Sequence, residues 1–345
     1  MTWFERLTGF AENSPEQVRA NLECADGVLR SLVNGRSWTY GELETPSVAE
    51  LRERVRRASR EAGRYELEGR ESDARKAGGL RVREVVADVQ ELHRDEAQAG
   101  ALFQVASQFN LLEMVSPHVT PEQGVGRYEG DRTQGPACAV AAGAGTIYRN
   151  YFAEVNGRVG QTADNQIDCL ADLGAALGNA HGRLWEMQNG YALPTENGLA
   201  EITERLRGST ESERDGLRGR VRIGLHRNTQ VTLPGCTHLV TQAYCSALPV
   251  AYSNHSATLW EEFACLILEA AYEATLCAGI LNARAGGNPT VFLTLLGEGA
   301  FGNRPAWVFS AIRRALRLYR FADLDLSIVS YRRSRSDVRQ MLREL

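Results

Sequence analysis

Helices packed over a mixed or parallel sheet, an α/β fold, are predicted by three features of the last hundred residues. These are a long helix with one apolar face, a short uninterrupted apolar run, and a glycine loop that opens a second helix. Trp260, Phe263, Ala264, Ile267, Ala270, Ala271, Ala274 and Ala278 recur at helical spacing, with Glu262, Glu269 and Glu273 opposite, and predict a helix over 258–282. Gly286-Gly287-Asn288-Pro289 ends it. VFLTLL (291–296) has the composition of a strand covered on both faces. GEGAFGN (297–303) then leads into a helix from Pro305, carried by Val308, Phe309, Ile312, Ala315, Leu316 and Tyr319, and LDLSIVSY (324–331) predicts a closing strand.

Upstream, Ser14 with Pro15 and Gln17 forms a helix start of capping-box type, and apolar spacing carries that helix to about Leu32, before Asn34-Gly35. Thr45-Pro46-Ser47 starts a second helix. Residues 64–79 are polar and nearly without apolar periodicity, which predicts a linker or an exposed charged segment and divides the chain into a helical N-terminal segment (1–79) and an α/β domain (80–345). Residues 80–93 fit either a helix or a strand followed by a helix. LFQVASQF (102–109) predicts a buried strand ending at Asn110, followed by a polar stretch, 117–135, long enough to suggest function. Small residues after Gly135-Pro136 suit a helix pressed against a flat surface, 164–180 and 195–207 predict further helices, and 238–251 predicts a strand running into a loop.

The 345 residues are 43% hydrophobic and 24% charged, enough for a buried core and for about two domains. A net charge of −4 from 39 basic and 43 acidic residues lacks the excess that would favour nucleic acid as a direct ligand. Nucleic acid therefore enters only as a modified substrate. Seven cysteines without CxxC spacing predict reduced thiols in the cytoplasm, and Cys236, His238 and Cys245 fit no standard zinc spacing, so no metal is expected. Acidic residues interrupt the N-terminus and no apolar run approaches the roughly 18 residues of a membrane span, so no membrane partner is expected either.

Gly297, Gly299 and Gly302 match GxGxxG between a strand and a helix, where free amides and the helix dipole favour phosphate. A dinucleotide-binding sheet is excluded, because only 43 residues follow Gly302, and Asp323 and Asp325 precede the last strand instead of ending it. VFLTLLGEGAFGNRPAWVFSAIRRAL followed by LDLSIVSY resembles the closing unit of the macrodomain fold, in particular the GAFGN-type loop of poly(ADP-ribose) glycohydrolase relatives. The resemblance implies a three-layer α/β/α macrodomain-like mixed sheet with a helical N-terminal extension. It also implies that Gly297, Glu298, Gly299, Ala300, Phe301, Gly302 and Asn303 contact the diphosphate and distal ribose of ADP-ribose. FQVASQFN and, after an insertion of about twenty residues, TQGPACAVAAGAGTIYRNYF are similar in order to the family's first ligand loop, which places Asn110, Thr133, Gln134 and Gly135 at the ligand.

The function implied is hydrolytic removal of ADP-ribose from a macromolecule or small molecule, with no cofactor. The alternatives are a non-catalytic reader of ADP-ribose or another nucleotide diphosphate, and an assembly protein without a nucleotide ligand. Glycoside cleavage needs a carboxyl group to assist the leaving group or activate water. The chain lacks the family's GGG run followed by Gln-Glu-Glu, so the acid is sought among Asp131, Glu113, Glu129 and Glu298, with Asp131 first and Glu113 second. Arg149 is read as a phosphate holder or as a cation complementing a helix dipole, and Tyr128 as an adenine platform or an ordinary loop tyrosine.

Overall fold

The computed structural model describes residues 1–61 and 79–345; all but the last residue of the expected linker, 64–79, lies outside the described residues. Seven strands form the central sheet: β1 (Glu42–Glu44), β2 (Arg81–Val86), β3 (Leu102–Ala106), β4 (Gly224–Gln230), β5 (Leu239–Cys245), β6 (Thr290–Leu293) and β7 (Asp325–Ser330). Their spatial order is β1-β4-β5-β3-β6-β7-β2. From β5 to β2 all neighbours are parallel, whereas β4 and β1 extend the sheet in antiparallel steps. Phe103 sits opposite both Gln242 and Phe292, which fixes the register at the centre.

Helices cover both faces. One layer is built around α7 (Ala257–Arg284), against which α1 (Val48–Glu61), α5 (Glu196–Gly208), α6 (Glu211–Arg218) and α8 (Pro305–Leu318) pack. The other contains α2 (Val89–Arg94), α3 (Gln134–Ala141) and α4 (Gly143–Tyr151), and α9 (Ser336–Arg343) closes the chain beside β2. In length and apolar composition α7 would suit a membrane span, yet Trp260, Leu266, Ala270, Leu276 and their neighbours are enclosed by this layer and the sheet. Gly279 is needed where α7 meets β6, since a Cβ there would lie 2.7 Å from Val291 Cγ2. The three-layer mixed sheet is thus the predicted one.

Several element expectations change. The helix expected from 14 to 32 ends at Asn21, and Leu22–Ala25 turns back through Asp26-Gly27 into Val28–Ser31, because both turn residues adopt positive φ. The N-terminal segment is therefore partly β. Its strand β1 is the edge of the central sheet and its helix α1 packs on α7, so residues 42–61 belong structurally with the α/β domain. Residues 80–93 resolve into β2 and α2. Between 164 and 180 the only α-helix is Ala171–Leu177, and β4, which is polar at His226, Arg227, Asn228 and Thr229, carries no strand signal.

A second core explains the first forty residues. Trp3, Phe4, Leu7, Val18, Leu29 and Trp38 pack with Leu112, Met114, Val125, Tyr128, Ile147 and Tyr151. Glu12 reinforces this contact, accepting hydrogen bonds from the amides of Val125 (2.9 Å) and Gly126 (2.6 Å) and from the Tyr151 hydroxyl (2.7 Å). The N-terminal segment therefore buttresses the stretch 109–131.

Candidate functional site

The C-terminal ends of all five parallel strands open onto one cavity of about 540 Å³. Ala87–Val89 follow β2, Ser107 and Gln108 follow β3, Ala247 follows β5, Thr294–Gly297 follow β6 and Tyr331 follows β7. This is where parallel α/β sheets bind ligands, because strand ends and helix starts converge there without side chains filling the crevice. The first turn of α3, with no side-chain cap, contributes Thr133–Ala137 to the wall.

On one side of the cavity the chain makes a tight corner after β3. Leu111 is held at φ 65°, a conformation that costs an ordinary L-residue about 1–2 kcal/mol. Its neighbours over-determine it. The amides of Leu111, Leu112 and Met114 donate to Gln108 O (3.0 Å), Asn110 Oδ1 (3.1 Å) and Gln108 Oε1 (2.9 Å). Arg149 Nε donates to Leu111 O (3.1 Å), and Gln161 Nε2 to Asn110 O (3.0 Å). Gly224 makes room, since a Cβ there would sit 2.5 Å from Leu111 Cδ1.

The corner delivers Glu113 to the cavity wall. Its amide donates to the Tyr128 hydroxyl (3.0 Å), its carboxyl lies against Gly135 at the start of α3, and the residue is only 4% exposed. Burial raises the Glu113 carboxyl well above the ordinary carboxylate range, opposed by Arg149 and a Ser107 hydrogen bond and assisted by Asp131. Oε1 has no hydrogen-bond partner among the described residues. The result is a carboxyl group biased towards its neutral form, with one buried oxygen left without a partner.

Facing it is the glycine loop. Asn303 N donates back to Gly297 O (2.9 Å) and Gly302 N to Gly299 O (3.1 Å), which folds the loop on itself. The amides of Gly297, Gly299, Ala300 and Phe301 donate to nothing among the described residues. Gly297, at φ 72°, could not take a side chain without striking the Ala247 methyl, whereas a Cβ on Gly299 would meet open space. Phe301 belongs to an aromatic trio, its ring centroid 5.4 Å from Tyr191 and 5.7 Å from Tyr252.

Of the expected site residues, Glu113, Asp131, Thr133, Gln134, Gly135, Gly297, Gly299, Ala300 and Phe301 line the cavity together. Gln134 does so by its position, because its side-chain amide is spent on β3: Oε1 accepts from Ala106 N and Nε2 donates to Gln104 O, both at 2.8 Å. Four do not line it. Asn110 is turned into the corner and donates to Gln166 (2.8 Å), and Asn303 ties Leu248 O to the loop (2.8 Å). Glu298 is paired with Arg335 (2.9 Å), and Gly302 supplies a turn at φ 70°.

Neither Arg149 nor Tyr128 lines the main cavity: Arg149 is buried behind it, and Tyr128, at a neighbouring cavity with Glu113 and Asp131, is buried with its phenol receiving the Glu113 amide. Glu129 is drawn to the N-terminal segment by Arg6 and the Trp3 amide. Cys236 and His238 bond to the Arg94 and His93 carbonyls, and Cys245 is buried in β5. The residues that sequence reasoning passed over are Gln108, Tyr191, Tyr252, Tyr331 and Asp88. Asp88 begins α2 with Oδ1 on Gln90 N (2.8 Å) at the β2 end of the cavity.

No protein-family model and no curated protein matches the chain. Among solved structures it is similar to the poly(ADP-ribose) glycohydrolase of Thermomonospora curvata bound to the inhibitor ADP-HPD, at 13% identity over 96% of each chain with a TM-score of 0.45. It is also similar to the poly(ADP-ribose) glycohydrolase of Deinococcus radiodurans in complex with ADP-ribose, at 13% identity over 88% of this chain and 95% of the other, with a TM-score of 0.44.

Proposed function

We propose that the chain binds ADP-ribose in this cavity and hydrolyses the glycosidic bond linking it to a macromolecule or small molecule. The observation that carries the reading is that one cavity joins a loop of four unengaged amides to a buried carboxyl group whose burial favours the neutral form. Unengaged amides on cavity-lining residues suit a diphosphate, and the start of α3, without a side-chain cap, adds to the same field. The aromatic trio provides apolar surface beside the loop for a ribose.

Glu113 is the residue suited to the chemistry. As the glycosidic C–O bond breaks, its electron pair goes to the departing oxygen, which takes the Glu113 proton, and positive charge develops at the anomeric carbon. Water then adds to the anomeric carbon and its proton returns to the carboxylate, restoring the acid. Asp131, half-buried on the same wall and held by the Thr133 amide (2.8 Å), is the second carboxyl group available to orient that water.

Two measurements test the reading. Calorimetry with ADP-ribose is expected to give a saturating titration, and incubation with ADP-ribosylated substrates to release free ADP-ribose. Affinity without release would make the protein a reader. A flat titration at millimolar ADP-ribose would remove both nucleotide functions.

A further inference from the structure

Arg149 stands out because it is fully buried and forms no ion pair among the described residues. Its partners are neutral. Nε donates to Leu111 O (3.1 Å), Nη2 to Thr146 Oγ1 (3.0 Å) and Nη1 to His226 Nδ1 (3.1 Å), while the guanidinium lies 3.8 Å from the centre of the Tyr244 ring. His226 cannot share the charge, since burial and Arg149 itself keep it neutral. An arginine stays ionised under all ordinary conditions, and a buried cation without an anion is costly. Among the described residues the other buried arginine is paired: Arg218 holds Glu269 (2.6 Å) and Glu211 (2.7 Å).

The acid whose ionisation Arg149 most directly favours is Glu113, two residues beyond the carbonyl it grips. We propose that Arg149 is the positioning residue of the catalytic acid: it fixes the Leu111 corner and supplies the positive charge that the Glu113 carboxylate needs once its proton has left. This rests on the hydrolase reading given above. Before reaction a buried cation behind the cavity wall acts on an acid biased towards its neutral form, and when the proton passes to the departing oxygen it acts on an anion. The interaction is therefore stronger in the transition state than in the resting site, which is the condition for it to accelerate the step.

The other groups around Glu113 cannot substitute. Tyr128, Tyr191, Tyr244 and Cys138 all interact with it electrostatically, but burial pushes each up and keeps it uncharged near neutrality. Asp131 carries the wrong sign and opposes ionisation.

The test is the pH profile of ADP-ribose release by the full-length protein, with calorimetric ADP-ribose affinity measured alongside, in Arg149→Met and Arg149→Lys. Because Glu113 acts as an acid, turnover falls above its pKa, and Arg149 lowers that pKa. Arg149→Met should therefore lose turnover by about a hundredfold and shift the alkaline limb upward, with ADP-ribose affinity kept within a few-fold. Arg149→Lys retains the charge and should recover at least about tenfold of the loss, with the limb near its original position. Undiminished turnover in Arg149→Met, or equal losses in both variants with an unmoved limb, would overturn the proposal while leaving the hydrolase reading intact. If Arg149→Met does not fold, Arg149→Lys decides: a loss as deep as that of Glu113→Gln counts against the charge role. A wild-type protein that releases no ADP-ribose refutes the hydrolase reading and this proposal with it.

Discussion

The two walls of the cavity are built on opposite plans. The corner at 107–114 spends nearly every polar atom on internal hydrogen bonds and stores a strained residue, whereas the loop at 297–301 leaves four amides unspent. In the proposed function the difference reflects what each wall would have to do. A catalytic carboxyl must be aimed to within a fraction of an ångström and kept dry, so its support is rigid and the group itself is buried. A diphosphate brings its own charge and acceptors, so the loop that receives it need only present donors.

The largest effect that would test this contrast is expected at the corner. Glu113→Gln removes the transferable proton but keeps the shape, and turnover should fall about a thousandfold while ADP-ribose affinity measured by calorimetry stays within a few-fold. The same variant reports on linkage. Burial raises Glu113, so the folded state binds a proton more tightly than the unfolded chain does, and stability contributed by the neutral acid is present at low pH and lost as pH rises towards the folded pKa. Thermal unfolding across that range should show a decline in the wild type that is flattened in Glu113→Gln. An unchanged slope would mean that the carboxyl is not held neutral.

Next in size is the opposite wall. Gly299→Val places a branched side chain in open space, so the fold should tolerate it, with a melting temperature within about 2 °C of wild type. Losing two or more amide contacts to a charged diphosphate, at about 1.5–3 kcal/mol each, should weaken ADP-ribose binding by a hundredfold or more. Equal affinity in the variant would remove the loop from the site.

These walls were not equally legible in the sequence. The loop could be read because its property is local: glycines at fixed spacing between an apolar run and a helix determine the backbone by themselves. The corner could not, because Leu111 is held in its unusual conformation by Gln161, Arg149 and Gly224, which lie 38 or more positions away and meet it only in the fold. Sequence reasoning consequently placed Asn110 at the ligand by order alone and preferred Asp131, the acid nearest the helix start, over Glu113. The sheet shows the same division. The apolar runs in β3, β6 and β7 announced themselves, whereas β4 is buried with His226 and Thr229 inside and has no apolar alternation to detect. The hairpin after Asn21 was available in principle, since Asp26-Gly27 is a strong two-residue turn signal.

A third variant tests whether the corner's rigidity matters separately from the acid. Gly224→Ala brings a methyl group to within 2.5 Å of Leu111 Cδ1 and leaves Glu113 itself unaltered. Overpacking of this kind costs about 1–3 kcal/mol of stability, read by denaturant unfolding. Turnover should fall about tenfold with affinity for ADP-ribose nearly unchanged, since the glycine loop is on the other wall. Full activity in a destabilised protein would show that the acid tolerates displacement.

The smallest effect distinguishes the two carboxyl groups. Asp131→Asn keeps an oxygen for the Thr133 amide, so the turn at the start of α3 should persist. Asp131 opposes the ionisation of Glu113, and removing its charge should lower the pKa of Glu113. Turnover depends on the protonated acid, so the alkaline limb of the profile should move down in pH, opposite to the shift expected when the positive charge of Arg149 is removed. Below that limb the loss should be only a few-fold, because a half-buried carboxylate that orients water is partly replaced by solvent. A loss approaching that of Glu113→Gln would instead give Asp131 an equal share of the chemistry, and the strain stored at Leu111 would then serve packing alone.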